Sequence, residues 1–252
     1  MENNKICKDR VSEALLDSIQ SVPDYPIEAI VVGSHLLGIK SRQVGLSSLV
    51  DTEGGHLRSI PHEKRWKSLK SESAKKVARK IIEFDTFDAG LGLAAITSLY
   101  DYSKMSFINV KAQDIIVEKG EGKEVAVVGH FPFASRIRDK FKKLWVIELK
   151  PREGDIGVEE GYRVLPRCDL VAITGSTIIN KTLSKILMHC NRRSYKILMG
   201  PSTPMTNVLF EFGIDLLAGS RVVKEEAVFE GIFRGKPFRY LDGIEMISLE
   251  RK

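Results

Sequence analysis

The sequence predicts an α/β fold, in which a parallel sheet with helices on both faces follows a smaller α+β part. After about Asn109, short and nearly continuous apolar runs alternate with amphipathic helical segments, which is typical of a parallel sheet buried on both faces. Before that point, β-branched runs are followed by helices, an α+β order. The 252 residues, 43% of them hydrophobic and 29% charged, suffice to bury a substantial core.

Residues 1–108 are predicted to form the smaller domain. Apolar side chains at helical spacing predict a first helix that ends before Pro23, and two β-branched runs joined at Lys40–Gln43 predict a hairpin. Two further helices follow, and Asp88 is the predicted N-cap of the second. The predicted elements are, in order, Ile6–Ile19, Ile27–Ile39, Val44–Val50, Ala74–Phe84 and Ala89–Tyr100.

Residues 109–252 are predicted to form the larger domain, which the alternation of strands and helices makes Rossmann-like. A connecting helix is expected over Lys111–Lys119, and Ile244–Leu249 is a candidate edge strand. The predicted strands are Glu124–Val128, Leu144–Leu149, Asp169–Thr174, Tyr195–Met199 and Ile214–Leu217. The predicted helices between them are Ala134–Lys143, Ile178–Cys190, Met205–Phe212 and Lys224–Phe233.

The loops that follow the predicted strands indicate where a ligand would bind. In an open parallel sheet, ligands bind outside the carboxyl ends of the strands. The loops at that edge are rich in glycine, proline, hydroxyls or charge: Gly129–Phe133, Glu148–Arg152, Thr174–Thr177, Gly200–Pro204 and Ala218–Arg221. Ser176 or Thr177 is a natural N-cap, and the hydroxyl-rich loops either cap helices or line a pocket for an anionic group.

His130 and Glu148 are the candidates for chemistry at this edge. His130 suits acid/base catalysis or metal ligation, and the alternative is a hydrogen-bonded structural histidine. Glu148 lies 19 residues after Gly129, near the spacing of the acid that binds a ribose in dinucleotide folds. The full glycine motif is absent, because Phe131 and Ala134 stand where glycines would be, so no standard NAD mode is expected.

The charge and the cysteine content limit which partners and which cellular compartment are expected. The chain carries a net charge of +6, and His56–Lys80 alone holds nine Lys/Arg against two Glu. That segment either attracts an anionic macromolecule or is a solvated face, and nucleic acid is not the expected partner because its usual aromatic-basic signatures are missing. Cys7, Cys168 and Cys190 are expected to be free thiols, and neither a signal core nor a membrane span is visible, so we expect a cytoplasmic protein.

Three of the loop motifs resemble those of a known family. Val127–Phe133, Cys168–Thr182 and Leu198–Pro204 are similar to motifs of the putative heavy-metal chelation domain family, and Gly92–Ile96 resembles the helix before its change of domain. The resemblance implies a first part like the enolase amino-terminal domain, a Rossmann-like second part and a site in the cleft between them. It also implies that this site handles a metal ion or small metal chelate.

Motifs and resemblance together define the predicted site. The predicted ligand-binding residues are Gly129, His130, Phe131, Thr174, Gly175, Ser176, Thr177, Asn180, Gly200, Pro201, Ser202 and Thr203. His130 and Glu148 are the candidate catalytic residues and candidate ligands of a divalent or heavy metal ion. The alternative is a metal-independent enzyme or binder for a nucleotide-like, adenosine-containing ligand. The sequence leaves open whether catalysis occurs and whether the chain forms a homo-oligomer.

Overall fold

The computed structural model describes residues 9–52, 55 and 60–252 of the chain. Its architecture is mixed α/β, with a seven-stranded, mostly parallel sheet flanked by helices and a smaller three-stranded antiparallel sheet. The predicted fold class is therefore confirmed. Among the described residues, no helix is both long and apolar enough to cross a bilayer.

The first half forms the small sheet and the helices around it. Its elements are α1 (Arg10–Asp17), β1 (Ala29–Val32), β2 (Leu36–Lys40), β3 (Val44–Ser48), α2 (Ala74–Ala78) and α3 (Thr86–Leu99). The predicted hairpin is confirmed as β2–β3, but the run Ile27–Ile39 holds two strands because the chain turns between Val32 and Leu36. The predicted N-cap Asp88 is wrong: Asp85 caps α3, and its side chain accepts from the Asp88 N–H. Residues 6–8, at the start of the predicted first helix, lie outside the described residues.

Helix α3 is buried on almost every side, because β2 and β3 cover one flank and α2 with the following turn covers another. Glycines allow this close packing. A Cβ on Gly45 would lie 2.0 Å from the Ala94 carbonyl oxygen, and a Cβ on Gly92 would lie 2.1 Å from the Ile81 nitrogen. A side chain at either position would push the helix off its neighbours.

The second half forms the large sheet and its helices. Its elements are α4 (Ala112–Gly120), β4 (Glu124–Val128), β5 (Lys143–Glu148), β6 (Ile156–Gly157), α5 (Val158–Val164), β7 (Leu170–Thr174), α6 (Ser176–Ile179), α7 (Leu183–His189), β8 (Tyr195–Met199), β9 (Leu216–Val222), α8 (Glu225–Phe233) and β10 (Ile244–Glu250). The edge strand β10 is confirmed and runs antiparallel to β9. The sequence prediction missed β6 and α5.

Three predicted helices of this half differ from the structure. The segment over Ile178–Cys190 is two helices, broken around Lys181, which has a positive φ of 63°. The other two are 3-10 turns, Ala134–Lys140 and Asn207–Phe212, in place of longer α-helices. The predicted strand Ile214–Leu217 starts at Leu216 and continues to Val222, where it pairs with β10.

The strand order of the large sheet creates a crevice at its centre. The order is β10-β9-β8-β7-β4-β5-β6, so the chain builds outward from β4 in one direction and then returns to β7 on the other side of β4. Val125 and Val127 pack into the core on one face, and Ala126 and Val128 into the core on the other, so both faces are covered. Where the order reverses, the connections leave β4 and β7 in opposite directions, which opens a site at their carboxyl ends.

Helix α8 follows the large sheet in sequence but packs on the small one. Val228 and Ile232 form a buried cluster with Leu36 and Leu46, whose strands they cover. A Cβ on Gly33 would lie 2.0 Å from the Ile232 carbonyl oxygen, so this glycine lets the helix backbone touch the end of β1. The small sheet is thus held between α3 from the first half and α8 from the second.

Candidate functional site

A cleft of about 1490 Å³ runs along the carboxyl edge of the large sheet. The loops after β4, β5, β7 and β8 line it, and Ser48 and Val50 at the end of β3 add a wall from the small sheet. Of the residues predicted from the sequence, the cleft is lined by Gly129, His130, Phe131, Glu148, Thr174, Ser176, Thr177, Asn180, Gly200 and Pro201. The structure therefore brings both candidate catalytic residues and most of the predicted ligand contacts to one cavity.

Three of the predicted residues do not line the cleft: Gly175, Ser202 and Thr203. Ser202 is buried, and its hydroxyl oxygen accepts a 2.7 Å hydrogen bond from the Ser48 N–H, which joins the two halves. A Cβ on Gly175 would lie 2.8 Å from the Ser202 carbonyl carbon. Thr203 is also buried, and its hydroxyl has no hydrogen-bond partner within the described parts of the chain. These residues fix the loops that line the cleft.

Glycines follow three neighbouring strands at the same level. The N–H of Gly129 donates to Ile147 O at 3.0 Å, that of Gly175 to Met199 O at 2.8 Å, and that of Gly200 to Ala218 O at 3.0 Å. Gly129 and Gly200 have φ values of 104° and 111°, which disfavour any side chain. At Gly129 a Cβ would also lie 2.8 Å from Thr174 Cγ2. The backbone after β4 therefore packs closely against the Thr174 side chain at the end of β7.

The hydroxyls after β7 do not cap a helix as predicted. Gly175 stands at the N-cap of α6 and makes no side-chain capping bond, and α6 is only four residues long. The Thr177 hydroxyl donates to Thr174 O at 2.7 Å, while the Ser176 N–H lies 3.4 Å from Thr174 Oγ1. The Ser176 and Thr177 prediction is wrong because the turn is too tight to place either residue ahead of the helix.

His130 and Glu148 form the polar centre of the cleft, and Asp155 lies beside His130 without lining the cavity. His130 Nδ1 lies 3.8 Å from Asp155 Oδ2, and the His130 side chain is 41% exposed whereas that of Asp155 is 7% exposed. Burial, reinforced by the neighbouring Asp155 carboxylate, raises the pKa of Glu148 above its ordinary value. Backbone N–H groups of Leu149 and His130 act in the opposite direction. Asp155 lies in the loop that follows Glu148. Its place in a loop at the carboxyl edge is the feature of the sequence that indicates a position near the site.

The donors at this centre suit a metal that brings ligands of its own. Within the described residues, no three His, Cys, Asp or Glu side chains are grouped as metal ligands would be. Soft heavy metals prefer thiolates. Cys168 and Cys190 are buried, and their thiols donate to helix carbonyls at 3.3 Å. Burial raises the pKa of Cys168 to about 12 and that of Cys190 to about 11. The oxygen and nitrogen donors of the cleft would complete the sphere of a chelated ion better than they would enclose a bare soft ion.

The cleft has a cationic lining. Its basic residues are Lys111, Arg136, Lys150, Arg152 and Arg239, and Glu148 is the one acid among its described lining residues. Lys150 Nζ lies 3.1 Å from Asp51 Oδ2, so the rim includes an ion pair between the two halves. This charge balance favours an anionic ligand.

Four of the eight described cations in the basic segment His56–Lys80 form ion pairs within the fold. Arg65 contacts both Asp85 and Asp88, and Lys80 contacts Asp88. Lys67 and Lys76 pair with acids four residues before them. Residues 56–59, which include Arg58, lie outside the described part. The pairing leaves less positive charge available for a macromolecular anion than the composition indicates.

Comparison with known proteins identifies the family. A family model described as "Putative heavy-metal chelation" matches residues 111–249, and a second model with the same description matches residues 13–100. The chain belongs to this family. The resemblance seen in the sequence is therefore confirmed.

Relatives and solved structures support the same fold. An uncharacterised protein of Methanocaldococcus jannaschii is 31% identical over 147 residues, which span 56% of this chain and 57% of that protein. A crystal structure from Desulfitobacterium hafniense matches with a TM-score of 0.84 and 23% identity, covering 97% of this chain and 99% of its own. One from Pyrococcus horikoshii matches with a TM-score of 0.76 and 17% identity, covering 96% and 99%. Both are described as proteins of unknown function from the same family, and at these identities they show the fold alone.

Proposed function

We propose that the protein binds a metal ion or small metal chelate in the cleft at the carboxyl edge of the large sheet. The observation that carries the proposal is that His130 and Glu148 line one cationic cleft, which two halves of the chain share, with Asp155 beside His130. The family description points to the same class of ligand.

Each part of the cleft has a role in this proposal. The half-exposed His130 imidazole offers a nitrogen donor, and the Asp155 carboxylate lies 3.8 Å from its Nδ1. Glu148 has a raised pKa, so it retains its proton to higher pH than an exposed glutamate and releases it when a cation arrives. The surrounding lysines and arginines hold the negative charge of a chelating molecule.

Metal content tests the proposal directly. The full chain is purified without a tag or chelator, and its metal is measured for wild type, His130→Ala and His189→Ala. His189 is the matched control, because its ring stacks on Tyr162 at a centroid distance of 4.2 Å and it does not line the cleft. We expect near-stoichiometric metal in wild type and His189→Ala, and a loss in His130→Ala. Absence of metal in wild type, with no saturable uptake of nickel, zinc or iron, would overturn the proposal.

A nucleotide-like ligand is the second candidate, favoured by the position of Glu148. Glu148 ends β5, the strand beside β4, and the Gly129 N–H donates to the carbonyl of Ile147 just before it. Dinucleotide folds place their ribose-binding acid at this position. Against this candidate, Phe131 and Pro132 line the cleft after β4, where dinucleotide folds carry glycines that let a pyrophosphate approach the backbone. Thermal stabilisation by nucleotides, nicotinamides or S-adenosylmethionine that is lost in Glu148→Ala would support this candidate, and full retention in the variant would count against it.

A further inference from the structure

The cleft continues from its polar centre along one face of the large sheet. Met199 on β8 is paired with Ala218 on β9, and Ser248 on β10 faces Ala218. Side chains two residues apart on a strand share a face, so Met246 lies on the same side as Ser248. These residues form the floor of what we call the apolar groove: Met199, Ala218 and Met246 below, with Val110, Phe133 and Tyr240 as walls.

The apolar groove includes hydrophobic side chains that remain exposed to solvent in the folded chain. Met246 is 45% exposed and Tyr240 is 57% exposed, although both line the cavity. Phe133 packs against Phe131 with ring centroids 5.5 Å apart, which extends aromatic surface toward the polar centre. Exposed apolar side chains that converge on a cavity are typical of a site that takes an apolar group.

Three cations that line the same cleft have no carboxylate partner among the described residues. Lys111, Arg136 and Arg239 line the same cavity, and none of them forms an ion pair within the described residues. The Arg239 guanidinium lies 4.6 Å from the centre of the Tyr240 ring. Lys150, by contrast, pairs with Asp51. A surface that combines aromatic rings with unpaired cations is complementary to an aromatic anion.

The size of the cleft also favours a ligand that is larger than a hydrated metal ion. A metal ion with a shell of six waters needs on the order of 200 Å³, at about 30 Å³ for each water. The cleft measures about 1490 Å³, so a hydrated ion would fill only a small part of it. The rest of the volume, including the apolar groove, must be filled by an organic part of the ligand or by water.

We propose that the apolar groove binds the organic part of the ligand, and that this part is an aromatic anion which carries the metal as a chelate. The inference rests on the proposed function and narrows it to one class of ligand. The metal is held between the aromatic anion and the donors around His130. The cations balance the charge of the anion, and the sheet face receives its ring.

Two ferric chelates of different character test this. Ferric tiron is a complex of an aromatic disulfonate, and ferric citrate is an aliphatic anionic complex. Their binding to the full chain is measured by equilibrium dialysis for wild type, Met246→Asp and Met188→Asp. Met188 is the matched control because it is 76% exposed on α7 and does not line the cleft. We expect wild type to bind ferric tiron about tenfold more tightly than ferric citrate, the change that burial of one aromatic ring produces at about 1.4 kcal/mol per tenfold.

The variants separate the groove from the polar centre. The new carboxylate of Met246→Asp repels both anions, but only the aromatic ring also loses an apolar contact. Met246→Asp should therefore weaken ferric tiron about tenfold more than it weakens ferric citrate, while Met188→Asp changes neither. If circular dichroism shows that Met246→Asp is unfolded, Tyr240→Ala takes its place, and the same selective loss of ferric tiron is expected. Phe233→Ala is the control for this second variant, because Phe233 is 78% exposed and does not line the cleft.

The outcomes also separate this inference from the function on which it rests. Equal affinity for the two chelates, or equal losses in Met246→Asp and Met188→Asp, would overturn the aromatic ligand. If iron or ferric citrate still binds and is lost in His130→Ala, the metal site stands without the aromatic ligand. If no iron in any form binds to wild type, both proposals fall.

Discussion

Replacing Ile232 with alanine should weaken the whole fold, because this side chain joins the two halves of the chain. Ile232 lies on α8 and is 1% exposed. Its side chain packs above Gly38 of β2, where a Cβ would lie 3.3 Å from Ile232 Cδ1. The small sheet therefore depends on a helix that lies nearly two hundred residues further along the chain.

The packing around Ile232 indicates that Ile232→Ala costs an amount of stability near the middle of the range for such truncations. Truncation of a buried isoleucine to alanine costs about 2–5 kcal/mol, and the cost rises where neighbours cannot collapse into the cavity. Two of the neighbours here are Gly33 and Gly38, which have no side chains that could move into the cavity. We expect a loss of about 3 kcal/mol in the free energy of unfolding. For a chain of this size, that corresponds to a fall of about 6–12 °C in Tm.

Thermal unfolding followed by circular dichroism measures this loss, and Phe233→Ala is the control. Phe233 is the next residue and is 78% exposed, so its truncation should change stability by less than about 0.5 kcal/mol. Hydrogen exchange should show that amides of β2 lose protection in Ile232→Ala. If Ile232→Ala matches Phe233→Ala in Tm, or if β2 keeps its protection, α8 does not support the small sheet and the reasoning is refuted.

Three further substitutions test the site and its supports. Because the pKa of Glu148 is raised, ionised Glu148 destabilises the fold, and Glu148→Gln should raise Tm at pH 7 but not below pH 4.5, the ordinary value; an equal effect at both pH values would contradict this. Lys181→Met removes a partly buried ammonium that donates to groups of the first half, and its urea midpoint should fall by the equivalent of about 1–3 kcal/mol; an unchanged midpoint would show that the contact contributes nothing. Gly175→Ala should destabilise by about 1–3 kcal/mol because its Cβ would meet the Ser202 backbone, whereas Gly157→Ala, with open space around it, should be near neutral; equal Tm values would refute the close approach.

Strands at the centre of the large sheet could be predicted well because their signal is local. The predicted bounds of β4 and β8 match the structure to the residue. Both strands are buried on two faces, so they are continuous apolar runs with turn residues at their ends. The conditions that define such a strand are present in the segment itself.

The edge of the sheet beside β5 could not be predicted in the same way. Strand β6 has two residues, and α5 buries only Gly161 and Val164, so neither carries a usable periodicity. A Cβ on Gly161 would lie 2.5 Å from Ile147 Cγ2. The helix thus depends on a close fit to β5, which comes from the tertiary structure and overrides the poor helix propensity of glycine.

The break between α6 and α7 had a local signal that hydrophobic periodicity concealed. Apolar residues continue at helical spacing through Ile178–Cys190, which predicts one helix. The Asn180 side-chain oxygen accepts from both the N–H and the hydroxyl of Thr182, a turn in which asparagine competes with the helix. Lys181 then adopts a positive φ and directs its side chain to Ser12 in the first half. The break places Asn180 and Thr182 in the wall of the cleft.

The carboxyl-edge rule located the cleft but could not show its second wall. That wall comes from the end of β3, where the Ser48 N–H donates to Ser202 and Asp51 pairs with Lys150. Contacts between such distant segments leave no pattern in either one. A ligand in the cleft would touch both halves and would bind only when they are docked, so its binding should stabilise the small sheet together with the large one. Protection of β2 amides on addition of a chelate would therefore report occupancy of the cleft from a strand that does not line it.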